Sequence, residues 1–254
     1  MNKGINISNL SIGYQKKTLI EAINVDSNLC QFISIIGRNG EGKSTLIKTL
    51  TSLIEPIKGD ISVAGKLLFK LSEAEKSKLI SVVLTNKISI HNINVFDFVA
   101  YGRYPYTNWL GIKTNNDKTI ISEAISLCNI NHLTTKLYTE LSDGERQKVN
   151  IARAIAQDTP IIVLDEPTAH LDLVNKIEVF KLLKLLVEKH QKTIIISTHQ
   201  IELALQLSNT VWLINQQKVI SATPNELIKN GEIDKLFANT DVIFNPATNS
   251  FTVK

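Results

Sequence analysis

The chain has 254 residues, of which 43% are hydrophobic and 20% charged, with a formal net charge of +4. This is the composition of an ordinary globular protein, long enough to bury a sizeable core. The scattered excess of positive charge forms no basic stripe and gives no reason to expect a nucleic-acid partner. Cys30 and Cys128 lie far apart, without metal-ligand or disulfide spacing, and read as buried thiols in a reducing compartment. No apolar run approaches the length of a membrane span, and Met1-Asn2-Lys3-Gly4 does not open a signal-peptide core. The expectation is a cytoplasmic chain that reaches a membrane only through a partner.

In chain order, residues 5–10, 18–25 and 61–63 read as short strands. Between the second and third lies the β-branched run Phe32-Ile33-Ser34-Ile35-Ile36, a buried strand, which ends at Gly37. A helical pattern starts near Lys43. The middle, about 72–136, reads as mostly helical, interrupted by a strand-like stretch at 79–84; Ile120, Ala124, Leu127 and Cys128 fall on one helix face. The residues Val95, Phe98 and Val99 predict a helix ending at Pro105. Beyond Leu141 the pattern alternates: helix 143–157, strand 161–164, helix 173–188, strand 193–196, strand 211–214. Strands alternating with helices of this length imply a parallel sheet covered on both faces. From Thr223 the tail carries two short helices and a terminal hairpin.

Three segments carry chemistry. Gly37-Arg38-Asn39-Gly40-Glu41-Gly42-Lys43-Ser44-Thr45 sits between a strand and a helix. Glycines permit the tight curl that aims successive N–H groups at a polyphosphate, and the following helix presents its positive end to it. Lys43 would reach the β- and γ-phosphates of ATP, and Ser44 would bind Mg²⁺. The glycines at 37, 40 and 42 do not fit the dinucleotide fingerprint. The second segment, Ile161-Ile162-Val163-Leu164-Asp165-Glu166, ends a buried strand in two carboxylates, at the edge where parallel sheets bind ligands. Asp165 suits the Mg²⁺ water shell, and Glu166 can orient or polarise an attacking water. The third is His199, which follows another strand and is placed to contact the γ-phosphate. Ser142 and Glu145 form a capping box that opens a long helix, and structure alone accounts for them.

In this order the motifs resemble the nucleotide-binding subunit of an ABC transporter over nearly the whole chain. The segment at Gly37 resembles Walker A, the run ending at Asp165-Glu166 Walker B, and Leu141-Ser142-Asp143-Gly144-Glu145-Arg146-Gln147 the signature motif. Ala169-His170-Leu171-Asp172 resembles the D-loop and His199 the switch histidine, while Tyr14 matches the aromatic that stacks on adenine. The resemblance implies a P-loop NTPase core of α/β class with a parallel sheet, an N-terminal antiparallel β portion and a helical insertion. It implies one ABC ATPase domain over 1–254, with a helical subdomain at about 86–158 and a C-terminal extension at about 216–254. It also implies that two copies sandwich two ATP molecules, with Ser142 and Gly144 completing the partner's site, and that closure moves multispanning permease subunits served by a substrate-binding protein.

The sequence departs from the family at two places. Asp143 stands where glycine is usual, an extra carboxylate that weakens the contact in trans unless its side chain is turned away. Thr85 stands where the glutamine of the Q-loop is expected, with Asn86 next to it offering an amide. The segment Val95-Phe96-Asp97-Phe98-Val99-Ala100-Tyr101-Gly102-Arg103-Tyr104-Pro105 resembles that of importers of iron-siderophore, heme and cobalamin, where it lines the groove for a permease helix. The short tail carries the expectation that the regulatory domain of sugar-importer relatives is not present. The alternatives are an importer for another substrate, a soluble ABC ATPase of the cofactor-assembly kind and an inactive scaffold. A single motif set argues against the translation type, and the lack of sustained heptads against the repair type.

Overall fold

The computed structural model describes residues 4–14, 17–85, 90–108, 110–169, 171–238, 240–246 and 248–253. These form two compact units, Met1–Leu71 with Thr193–Lys254, and Ser72–Lys192. The first segment carries β1 (Ile5–Tyr14), β2 (Lys17–Ser27), β3 (Phe32–Gly37), α1 (Lys43–Leu50), β4 (Lys58–Val63) and β5 (Lys66–Leu67). The second unit holds α2 (Glu73–Leu79), β6 (Ile80–Val83), α3 (Val95–Ala100), α4 (Asn115–Leu127), α5 (Asp143–Ala156), β7 (Ile161–Asp165) and α6 (Leu173–His190). The chain then returns to the first unit with β8 (Thr193–Ser197), α7 (Ile201–Leu207), β9 (Thr210–Asn215) and β10 (Lys218–Ala222). It ends in α8 (Pro224–Lys229), α9 (Glu232–Leu236) and the hairpin of β11 (Val242–Asn245) and β12 (Ser250–Val253). The α/β class, the parallel strands and the antiparallel N-terminal sheet all follow the expectation from sequence.

In the first unit, β2, β1, β4 and β5 make an antiparallel sheet in that order. Ile5 and Ile7 of β1 are buried, and so are Leu10 and Ile12, although strict alternation would turn the second pair outward. A bulge restores the phase: the register slips between Ile7 and Leu10, Asn9 takes φ 48°, and its N–H donates to Asn24 Oδ1 at 2.8 Å. Beside this sheet, β3 runs parallel to both β8 and β9, and β10 closes antiparallel on β9. Every residue of β3 and β8 is buried, as expected of strands covered on both faces. Under β9, Leu213 joins Leu227, Ile233, Leu236 and Phe244 in an apolar cluster that holds the C-terminal helices and hairpin.

In the second unit, β6 and β7 pair in parallel, Ile80 opposite Ile161 and Val83 opposite Leu164. Helices α3, α4 and α5 bury Val95, Phe98, Val99, Ile121, Ala124, Ile125 and Val149, and Phe98 stacks on Tyr138 with ring centroids 4.4 Å apart. The C-terminal half of α5 is fastened to what precedes and includes β6. Arg153 Nη2 donates to the Val82 carbonyl at 2.6 Å, and Gln157 Nε2 donates to the carbonyls of Ser77 at 2.7 Å and Ile80 at 3.2 Å.

Three expectations change. The inward face of α4 is turned by about one residue: Ile121, Ala124, Ile125 and Cys128 are buried, while Ile120 and Leu127 are half-buried. Asp117 sets this rotation, because it caps α4 with Thr114 and is itself buried against Arg103. The predicted helix to Pro105 is α-helical only to Ala100 and then tightens to a 3₁₀ turn, Tyr101–Tyr106; proline disfavours the α conformation of the residue before it and supplies no N–H. Cys128 is buried as expected, which pushes its thiol up to about 12. Cys30 is exposed instead. It lies between β2 and β3 at φ 59°, a turn whose N–H donates to Thr193 Oγ1.

Arg103 and Asp117 form a buried ion pair at 2.8 Å, and Arg103 Nη1 also donates to the Ala156 carbonyl at 3.0 Å. Burial alone would raise the pKa of Asp117, but hydrogen bonds from Thr114 and Arg103 outweigh it and hold the carboxyl below the ordinary aspartate range. Asp117→Asn leaves the guanidinium buried without a counter-charge and is expected to lower unfolding stability by about 3–5 kcal/mol in urea titrations. Because the folded pKa is depressed, the wild-type contribution is present above the unfolded pKa and is lost as pH falls through the folded one. The variant's deficit should therefore narrow in acid. A constant deficit from neutral pH to acid would assign the loss to packing.

Candidate functional site

β3 delivers the chain to Gly37, where the loop begins. A Cβ on Gly37 would stand 2.6 Å from the Ile214 carbonyl oxygen, so only glycine lets β3 pass β9 into the turn. Gly42, immediately before α1, takes φ 103°, which a residue with a Cβ rarely adopts. Between them Arg38 N–H donates to Glu41 Oε2 at 3.0 Å, and Glu41 N–H donates back to the Arg38 carbonyl at 3.4 Å. Asn39 and Gly40 form the tip, Gly40 at φ 80°. No side chain caps α1. Lys43 is 5% exposed, and its Nζ donates to the carbonyls of Gly37 at 2.9 Å and Arg38 at 3.0 Å. The loop thus folds around its own cation, with Ser44 and Thr45 in the first turn of the helix.

Tyr14 ends β1 with 47% of its surface exposed, and its hydroxyl accepts from Thr45 Oγ1 at 3.5 Å. The structure therefore brings the aromatic ring to the start of α1, on the same unit as the loop. His199 leaves the sheet beside it. Ile35 of β3 is opposite Ser197 of β8, so Gly37 and His199 each follow two residues later along parallel strands, at the same edge. Thr198 ties that exit down: its N–H donates to the Ile35 carbonyl and its hydroxyl accepts from Gln200 N–H.

On the second unit, Asp165 is the last residue of β7 and is 5% exposed. Glu166 follows in the left-handed region at φ 48°, and its carbonyl accepts from Ala169 N–H at 3.1 Å. Thr85 Oγ1 donates to the Asp165 carbonyl at 2.8 Å. Nothing local in the sequence signals that bond, which joins residues 80 positions apart.

The capping box expected at the start of α5 is present. Glu145 N–H donates to Ser142 Oγ at 3.3 Å, and Ser142 N–H donates to Glu145 Oε2 at 2.8 Å, which holds the Glu145 carboxyl below its ordinary pKa. Asp143 pairs with Arg146 Nη1 at 2.9 Å, while Arg146 Nη2 donates to the Leu141 carbonyl at 2.8 Å. The sequence motif includes Arg146 but not its pairing with Asp143, for which the i,i+3 spacing is the signal. At Gly144 an added Cβ would meet Asn175 at 3.5 Å, so the starts of α5 and α6 lie side by side. Asn175 is in turn held by Asp172, the cap of α6. Asn86 and His170 lie outside the described residues.

A buried parallel strand, a glycine loop closed on a lysine and an uncapped helix start define a P-loop nucleotide-binding protein. Residues 6–169 match the family described as ABC transporter. The chain belongs to that family, as an ATP-binding protein and an ATPase. It is 39% identical over 247 residues to an uncharacterized ABC transporter ATP-binding protein of Methanocaldococcus jannaschii, covering 97% of this chain and 85% of that one. It is 33% identical to a petrobactin import ATP-binding protein of Bacillus subtilis, covering 93% of each chain. Among solved structures it resembles an inward-facing ABC transporter described as of the metal-chelate type, with TM-score 0.82, 29% identity and coverage of 99% and 96%. Among the described residues, no helix is long and apolar enough to cross a membrane.

Proposed function

We propose that this chain is the ATPase subunit of an importer, energising uptake of an iron-siderophore complex or a related metal chelate such as heme or cobalamin. The observation that carries this is likeness over nearly the full length to a petrobactin import protein and to a transporter described as metal-chelate type. The chain acts as one ATPase domain, with a helical subdomain at about 86–158 and a C-terminal extension at about 216–254. It works at the cytoplasmic face of the inner or plasma membrane, bound to multispanning permease subunits and served indirectly by a substrate-binding protein.

Two copies sandwich two ATP molecules. Tyr14 stacks on adenine. The backbone from Gly37 to Thr45 cradles the phosphates, and Lys43 exchanges loop carbonyls for phosphate oxygens. Ser142 and Gly144 of the second copy close over that loop with the start of α5. The pairing of Asp143 with Arg146 answers the extra carboxylate at that helix start. Glu166 orients or deprotonates the attacking water, and His199 contacts the γ-phosphate.

Ser44 and Asp165 fit Mg²⁺, because a hydroxyl and a carboxylate are the hard oxygen donors this ion takes, one or two from protein and the rest from phosphate and water. Among the described residues no group of three or more His, Cys, Asp or Glu could form an all-protein cage. Mg²⁺ there would neutralise charge on the β- and γ-phosphates.

The test is affinity purification of the tagged full chain from detergent-solubilised membranes of its native host. A multispanning protein should co-purify in stoichiometric amount. ATP turnover by a chain that never recovers such a partner would favour a soluble ABC ATPase of the cofactor-assembly kind.

A further inference from the structure

We infer that Thr85 is a positioning residue for ATP hydrolysis, acting through the peptide bond that joins the two carboxylates of the site. The inference rests on the proposed roles of Asp165 and Glu166. Strands β6 and β7 run parallel, so the residues that follow Val83 and Leu164 leave at one edge. There the Thr85 hydroxyl donates to the carbonyl oxygen of Asp165 at 2.8 Å. That oxygen belongs to the peptide plane linking Asp165 to Glu166, and fixing it fixes the direction in which Glu166 starts.

The fixing matters because Glu166 stands at φ 48°, a conformation unfavourable for a residue with a Cβ, and it must be held by its surroundings. Two bonds bracket the strained residue. Thr85 holds its preceding carbonyl, and Ala169 N–H holds its own carbonyl at 3.1 Å. Of these, only the Thr85 bond is made by a side chain, and it comes from the segment where relatives are expected to carry a glutamine. In this chain that position acts on the backbone of the strand end. A hydroxyl on a short, β-branched side chain suits the task, since it has one rotatable bond to restrain.

The experiment compares Thr85→Val, which keeps the shape and removes the donor, with Thr85→Ser, which keeps the donor. Steady-state turnover of Mg²⁺-ATP by the full chain is measured alongside equilibrium binding of a fluorescent ATP analogue. Loss of one orienting bond should lower kcat about five- to tenfold in Thr85→Val at unchanged KM and unchanged analogue affinity. Thr85→Ser should stay within twofold of wild type. Wild-type kcat in Thr85→Val overturns the inference, and so does an equal loss in both variants with weakened binding, which would mark a packing role. A second readout does not depend on turnover: hydrogen exchange at the Ala169 amide should quicken in Thr85→Val and not in Thr85→Ser. If wild-type protein fails to turn over, the reading of Glu166 fails, and the exchange rates still decide Thr85.

Discussion

Replacing Glu166 by glutamine is expected to stop turnover while leaving ATP bound. The side chain keeps its size and hydrogen-bonding capacity but loses the basicity that, in the proposed role, orients or deprotonates a water. Removing a general base of this kind costs about 10²- to 10⁴-fold in rate. The strained backbone at φ 48° is retained by either residue, so binding should survive. Phosphate release measured with the full chain should fall to that degree, and the variant should retain unhydrolysed ATP through gel filtration as a dimer. Turnover within twofold of wild type would remove Glu166 from its assigned role.

Lys43→Ala attacks the opposite end of the reaction. The lysine is 5% exposed and bonded to two carbonyls of its own loop, so its charge is already held where phosphates would arrive. Truncation removes the charge and the two bonds that keep the loop curled. Charge-assisted bonds are each worth about 1.5–3 kcal/mol, so ATP affinity should weaken by about 100-fold or more. Titration of a fluorescent ATP analogue reads this directly. A dissociation constant within threefold of wild type would mean that the loop binds by its backbone alone. Together the two variants separate binding from chemistry: one should lose the nucleotide, and the other should keep it and fail to cleave it.

Much of the local structure around the candidate site could be read because its pieces are contiguous. The strand, glycine loop and helix at 32–50 are written in adjacent residues, and so is the apolar run ending in Asp165-Glu166. The same holds for the Ser142–Glu145 capping box, whose bonds reach three residues. What escaped is long-range or short-lived. The Thr85 bond to Asp165 spans 80 positions, and no local pattern encodes it. The Arg103–Asp117 pair misplaced the buried face of α4, since a periodicity argument assumes that the inward residues are apolar. Helix α7 has seven residues and no side-chain cap, and β10 is a half-exposed edge of five, so neither announces itself. Cys30 misled because burial was inferred from residue type, whereas its turn conformation decided exposure. The proposed adenine stacking by Tyr14 rests on family resemblance alone; on its own the residue reads as a strand tyrosine.

The fastening of α5 by Arg153 and Gln157 has a mechanical meaning. Both grips lie at the C-terminal end of the 14-residue helix, on carbonyls of Ser77, Ile80 and Val82, while Ser142 sits at the other end. At 1.5 Å per residue the helix spans about 21 Å, so a tilt of about 3° about its C-terminal end would displace the Ser142 end by roughly 1 Å. That is the scale on which a hydrogen bond to a phosphate oxygen is made or broken. The pivot strand is the one that leads to Thr85, so gearing rather than contact would link the reach of the helix tip to the posture of the carboxylates.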